Sequence, residues 1–213
     1  MRLSLRESIG LVTIAALSVA LANAVWRARS MRDELTAYRA EVGYLQPSGD
    51  DQVAASRAPL DGPLIWKFRV RVPEGKPRYR FAYSTRWPAG QAGPQWYGAI
   101  PVAAGESRVT VRILEDPRDN RWKVSAIVAS AGGTQRMGTT LPPDQIEIFR
   151  GSHERLRGGI DRSTATADVG RSLRMLDERW LVGEGALLLF GDTAPKSDQI
   201  GVFGELQPDT GTL

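Results

Sequence analysis

The sequence predicts a mainly β protein, in which an N-terminal transmembrane or stalk helix precedes an antiparallel β-sandwich or barrel-like domain. Three observations predict this arrangement. Short segments that alternate apolar and charged residues recur from residue 64 onward, as half-buried strands do. Glycine- and proline-rich turns separate these segments. An uncharged stretch over residues 9–26 is followed by heptad spacing, and both features indicate helix.

These patterns divide the chain into six parts. In chain order they are an N-terminal tail (1–8), a transmembrane helix or signal peptide (9–26), a helical stalk (27–46), a linker (47–63), an antiparallel β domain (64–194) and a flexible C-terminal tail (195–213).

The segment over residues 9–26 holds eighteen residues without a charge. At about 1.5 Å per residue it makes roughly 27 Å of helix, close to the ~30 Å hydrocarbon core of a bilayer. Trp26 stands where an interfacial aromatic residue belongs. This interpretation predicts a single-pass membrane protein that has the lipid bilayer as a partner. Its C-terminal body is exported to the periplasmic or extracytoplasmic side.

A cleaved signal peptide is the alternative for the same residues. Arg2 and Arg6 form a basic region before the apolar stretch, and Ala22-Asn23-Ala24 fits a small-x-small cleavage site. The protein would then be secreted after cleavage following Ala24. The helical pattern continues past Ala24, which favours the anchor. A buried helix of a soluble protein is the third interpretation.

The stalk is predicted from apolar or small residues spaced alternately four and three apart. This spacing predicts a seam for homo-oligomerisation formed by Met31, Leu35, Tyr38, Val42 and Leu45. A single amphipathic helix explains the same pattern without self-association. Pro47-Ser48-Gly49 ends the helix and opens the linker, where proline, serine, glycine, aspartate and alanine dominate.

The β domain begins with clean alternation over residues 64–72, followed by the turn sequence PEGKP and further alternation over 79–84. We expect these two strands to form a hairpin. Strands are also predicted around residues 108–113, 122–128, 145–149 and 185–191, with turns at DPRDN and at Gly132-Gly133. Residues 172–182 fit helix or strand, and their neighbours favour strand. The glycine- and aspartate-rich residues from 195 onward predict a loose tail.

Three stretches of the first 85 residues or so resemble known proteins: MRLSLRESIGLVTIAAL, the heptads closing in AEVGYL, and WKFRVRVPEGKPRYRF. Together they are similar to a group of uncharacterised bacterial signal-anchored proteins. The resemblance implies a membrane-tethered, exported β-domain, and it implies no catalytic residues.

Composition excludes several kinds of chemistry. Cysteine is absent, so disulfides, thiolate metal sites and cysteine nucleophiles are excluded. His153, the only histidine, cannot form a histidine-rich zinc site or a triad by itself. The net charge of +4 is spread without a basic block, so we expect no nucleic-acid partner. The sequence predicts no catalytic residue, no metal and no cofactor, and therefore no enzyme.

One loop carries the most suggestive side chains. Trp87, Trp96 and Tyr97 bracket the glycine- and proline-rich sequence WPAGQAGPQWYG. Aromatic faces on a loop stack on sugar rings or on apolar patches of a partner, although packing at the rim of the core explains them equally. A set of arginines is expected on a solvent-facing side of the sheet: Arg69, Arg71, Arg108 and Arg112.

These features predict a membrane-anchored, exported β-domain with a scaffolding or protein-interaction role. The alternative is a carbohydrate- or peptide-binding module that uses the Trp/Tyr loop. The partner is in either case an unknown protein or glycan.

Overall fold

The computed structural model describes residues 5–42, 44–46, 48–59, 62–75, 77–182 and 197–211. The chain divides into two units, an N-terminal helix and a β-rich body from residue 43 onward. The helix, α1 (Leu5–Val42), is one continuous segment. Within the described residues, no helix combines the length and the apolar character needed to cross a bilayer. The membrane span predicted for residues 9–26 is therefore not supported.

The stalk prediction is corrected at its C-terminal end. The helix stops at Val42, so the predicted helical boundary at residue 46 is wrong. Leu45 belongs to the body, where it is only 6% exposed. It packs there because the chain has already left the helix, and it cannot complete the heptad seam. Met31, Leu35 and Tyr38 lie on the helix with more than half of each side chain exposed, and their role in self-association stays a prediction.

The body consists of eleven described strands and one short helix. In chain order these are β1 (Gln52–Arg57), β2 (Ile65–Val72), β3 (Tyr79–Trp87), β4 (Gly98–Val102), β5 (Gly105–Asp116), β6 (Arg121–Ser130), β7 (Gly133–Thr140), α2 (Pro143–Arg150), β8 (Arg155–Gly159), β9 (Ala165–Asp168), β10 (Leu173–Trp180) and β11 (Gln199–Pro208). A first sheet has the order β7-β6-β5-β2-β1-β9, and a second has the order β4-β3-β11-β10-β8. Every strand pair is antiparallel.

Two separate sheets enclose one hydrophobic core, so the body is a sandwich. The sheets do not close into a barrel. Alternation sends Trp66 and Phe68 of β2 into this core, and Phe81 and Tyr83 of β3 meet them from the second sheet. Burying each large side chain contributes roughly 1.5–3 kcal/mol. Trp180 packs edge-to-face on Trp66, with ring centroids 6.4 Å apart. The prediction of a mainly β, sandwich-like fold is confirmed.

An ion pair crosses the interior between the sheets. Arg57 of β1 donates from a guanidinium nitrogen to Glu178 Oε1 of β10 at 2.5 Å. Glu178 is 1% exposed and the Arg57 side chain is 12% exposed. Neither charge reaches bulk water well, so each depends on the other for stabilisation.

The predicted linker and tail are both wrong, because each contains a strand. β1 lies within the predicted linker, and four of its six residues are buried. Their small side chains fit between β2 and β9. β11 lies within the predicted tail, and it occupies the centre of the second sheet between β3 and β10. The β domain therefore extends beyond residues 64–194 at both ends.

Four local predictions concern individual strands of the body. The hairpin predicted from residues 64–72 and 79–84 is wrong, because β2 pairs with β1 and β5 while β3 pairs with β4 and β11. The strand predicted at 145–149 is helix α2, which Pro143 and Asp144 favour at its first turn. The strand at 172–182 is confirmed as β10. The strand predicted at 185–191 lies outside the described residues.

Candidate binding surfaces

The aromatic loop predicted to bind a ligand is held by hydrogen bonds at both ends. Trp87 ends β3, and its ring nitrogen donates to the Gln91 carbonyl at 2.8 Å. The backbone nitrogen of Gln95 donates to the Arg86 carbonyl at 3.0 Å. The backbone nitrogen of Tyr97 donates to the Tyr83 carbonyl at 2.9 Å. The loop therefore has a defined path that returns along β3.

Trp87 and Trp96 come together around arginines of β10. The Arg174 guanidinium carbon lies 5.5 Å from the Trp87 ring centroid and 5.7 Å from that of Trp96. Arg179 lies 4.6 Å from the Trp87 centroid. We call these four residues the Trp–Arg stack. Cation–π contacts of this kind contribute about 0.5–1 kcal/mol each at exposed sites.

The arginines of the Trp–Arg stack are also paired with carboxylates. Arg174 Nε donates to Glu205 Oε2 at 2.6 Å. Arg179 makes a bidentate contact with Asp177, at 2.7 Å and 2.8 Å. Its third nitrogen donates to the Gln199 side chain at 2.9 Å. Both cations therefore have a carboxylate partner within the protein.

Tyr97 does not join the two tryptophans. Its ring packs against the hydrophobic core, and its hydroxyl lies 3.1 Å from Thr85 Oγ1. Thr85 in turn lies 2.7 Å from Gln145 Oε1 of α2. A sugar ring would have to displace Arg174 or Arg179 from any tryptophan face that these arginines cover. The ligand-binding role of the three aromatics stays a prediction.

A second surface lies on the first sheet, on the side facing away from the core. Lys67 and Arg69 of β2 alternate with core residues, as do Arg108 and Arg112 of β5. Arg69 stands directly opposite Arg108, and Lys67 stands opposite Thr110. Lys67 is therefore a diagonal neighbour of both Arg108 and Arg112. We call Lys67, Arg69, Arg108 and Arg112 the basic face.

One carboxylate, Glu106, adjoins the basic face on β5. Glu106 lies two residues before Arg108 on the same face of β5, and it stands opposite Arg71 of β2. Arg71 itself donates to Ser48 and to the Gly49 carbonyl. Arg108 is exposed, and Arg112 Nε donates to Ser125 Oγ at 3.4 Å. Within the described residues, no carboxylate forms an ion pair with Arg108 or Arg112.

A lysine at the end of the same sheet is paired with carboxylates, in contrast to Arg108 and Arg112. Lys123 Nζ donates to Asp116 at 3.0 Å and to Asp119 at 2.6 Å. Hydrogen bonds from Arg118 and Lys123 hold the pKa of the Asp116 carboxyl well below its usual range. These contacts sit at the predicted DPRDN turn, which is confirmed between β5 and β6.

Alternation placed Arg69 and Arg108 on a solvent side, but it did not place them side by side. β2 and β5 are neighbours only because the chain crosses to the second sheet for β3 and β4 and then returns. No signal in one sequence reports that crossing. Among the described residues, no group of three or more potential metal ligands is assembled. No protein-family model matches this chain, and neither curated proteins nor solved structures give a match.

Proposed function

We propose that the body is a protein-interaction module that binds an acidic surface of a partner protein through the basic face. One observation carries the proposal: Arg69 and Arg108 stand directly opposite each other, with Lys67 and Arg112 as neighbours. No step of catalysis is part of this proposal.

Two like charges, Arg69 and Arg108, stand directly opposite each other in the basic face. Like charges directly opposite on a sheet destabilise it by roughly 0.2–1 kcal/mol per pair. Carboxylates of a partner placed over Arg108 and Arg112 would add attraction at this face. Charge complementarity of this kind raises association rates and excludes wrong partners.

The chemistry and extent of the patch favour a protein partner. Arginine presents a planar fork that matches a carboxylate bidentately, so a small cluster of aspartates or glutamates fits it. The patch is local, because Glu106 adjoins it on β5 and the net charge of the whole chain is only +4. A long polyanion would need a more extended basic surface.

The test uses a fluorescein-labelled hexaglutamate peptide as the probe and fluorescence anisotropy as the readout. The variant Arg108→Gln/Arg112→Gln removes two charges from the basic face. The matched control Arg157→Gln/Arg162→Gln removes two charges from exposed arginines elsewhere. We expect the face variant to bind at least about tenfold more weakly, a loss of roughly 1.4 kcal/mol. The control should stay within about twofold of the wild type at the same ionic strength.

Two outcomes would contradict the proposal. The control variant could lose as much affinity as the face variant, which would mean that net charge alone drives binding. Alternatively, the wild type could fail to bind the probe even at low salt, where screening is weakest.

A further inference from the structure

Strand β7 forms an open edge of the first sheet. It pairs with β6 on one side, and no described strand pairs with its other side. All of its residues are exposed except Thr139, which is half-buried. An exposed strand edge presents a row of backbone donors and acceptors that can pair with another strand.

The alternation of the ladder shows which backbone groups of β7 face outward. The Leu141 nitrogen donates to the Trp122 carbonyl at 2.8 Å, directly after the last β6–β7 pair. In an antiparallel pair, only every second residue directs its N–H and C=O toward the neighbouring strand. Thr134, Arg136 and Gly138 therefore direct theirs away from β6.

The other three sheet edges carry features that oppose strand pairing. β4 contains Pro101, which has no backbone N–H to donate. β9 is only four residues long. β8 carries two exposed arginines and ends at Gly159, whose φ of 86° breaks the strand conformation. β7 is eight residues long and contains a single charge, Arg136.

We propose that the β7 edge pairs with an extended segment of a partner protein in which acidic and apolar residues alternate. Arg136 stands opposite Ile127, in the same cross-strand row as Thr110 and Lys67. Acidic side chains of an added strand would therefore lie beside Arg136 on the side of the basic face. On the other side of the strand, Met137 is 42% exposed and offers an apolar contact.

Charge disfavours a second copy of this chain as the occupant. In antiparallel self-pairing centred on Arg136 or Met137, the two Arg136 side chains become opposite or diagonal neighbours on one face. The two basic faces would also lie on one continuous sheet. The preference of the β7 edge for a segment with acidic residues rests on the proposed function. The backbone pairing at β7 does not rest on it.

The test compares two substitutions at one position in the full chain. Both Arg136→Gln and Arg136→Pro remove the cation, but only the proline removes the outward N–H. The probe is a fluorescein-labelled octapeptide that alternates glutamate and valine, measured by anisotropy. We expect Arg136→Gln to bind about threefold more weakly than the wild type, and Arg136→Pro at least about tenfold more weakly than Arg136→Gln. The urea midpoint of each variant reports whether it is folded.

A second pair of variants repeats the comparison without changing charge. Thr134→Pro removes an outward N–H, and Thr134→Val keeps it with a similar shape. Only the proline variant should lose affinity. A peptide that alternates glutamate and proline is the control probe, because it has the same charge and cannot form a strand ladder.

The inference is overturned if the folded proline variants bind the glutamate–valine peptide as tightly as Arg136→Gln and Thr134→Val do. It is also overturned if the wild type does not bind this peptide. The inference is also overturned if the glutamate–proline peptide binds as tightly as the glutamate–valine peptide. The basic face would then be the site that binds acidic peptides. If instead Arg108→Gln/Arg112→Gln binds hexaglutamate normally while Arg136→Pro loses the glutamate–valine peptide, the proposed function fails and the edge pairing stands.

Discussion

The two outer faces of the sandwich are both rich in arginine, but their arginines have different surroundings. On the second sheet, Arg174 and Arg179 lie against tryptophan rings and are paired with Glu205 and Asp177. On the first sheet, Arg108 stands opposite another arginine and has no ion-pair partner within the described residues. The first group is paired with carboxylates of the domain, whereas Arg108 is exposed and has no such pair among the described residues.

The number of arginines on a face therefore does not reveal how each of them is paired. A cation that is stacked on a ring and paired with a carboxylate has its charge compensated within the protein. A cation that faces a like charge keeps its attraction for an external carboxylate. Substitutions in three surroundings can therefore rank the arginine contacts and test the comparison.

The largest loss of stability is expected when the ion pair in the interior is broken. This loss is the upper limit for the arginine contacts compared. Glu178→Ala leaves Arg57 as a partly buried cation without its carboxylate. We expect the free energy of unfolding to fall by about 3–5 kcal/mol in urea denaturation. The double variant Arg57→Met/Glu178→Ala removes both charges and should recover a large part of that loss. A double variant no more stable than the single one would contradict this explanation.

A smaller loss is expected in the Trp–Arg stack. Arg174→Ala removes contacts with two rings and the hydrogen bond to Glu205, and should lower the free energy of unfolding by about 2 kcal/mol. Arg174→Lys keeps the charge but loses the planar group, so it should fall between alanine and wild type. Urea midpoints at equal slope provide the measurement. If Arg174→Ala had the same urea midpoint as the wild type, the arginines of the two outer faces would not differ in their contribution to stability.

The smallest effect on stability is expected on the basic face. Arg108→Gln removes one of two opposed cations, so the free energy of unfolding should change by no more than about 0.5 kcal/mol. Any change should be a gain at low salt that disappears at high salt, because screening weakens the repulsion. A loss of about 2 kcal/mol would show that Arg108 is a structural residue like Arg174.

The sequence allowed prediction of strands that alternate large apolar and charged residues, such as β2, β5 and β10. It did not allow prediction of β1 and β11, because small residues and glycines in these strands look like linker signals. The structure explains the glycines of β11 by close packing. A Cβ atom on Gly204 would lie 2.6 Å from the Phe81 ring, and one on Gly201 would collide with the Glu178 carbonyl.

The candidate sites were predictable only in part, for the same reason. Trp87 and Trp96 could be grouped because one loop connects them, but Arg174 comes from a strand far along the chain. The two halves of the basic face come from β2 and β5, which are neighbours through a sheet crossing. Periodicity reports which side a residue faces, and strand order decides which residues meet.

The central position of β11 has a consequence for the order in which this protein folds. β5, β6 and β7 are consecutive, and β6 pairs with both of the others, so that part of the first sheet can form from local contacts. β3 must wait for β11 before it gains its second neighbour. At the usual rate of synthesis that delay is on the order of ten seconds. A nascent chain would keep the backbone edge of β3 that later pairs with β11 unpaired during this interval, when chaperones would have their main opportunity to act on it.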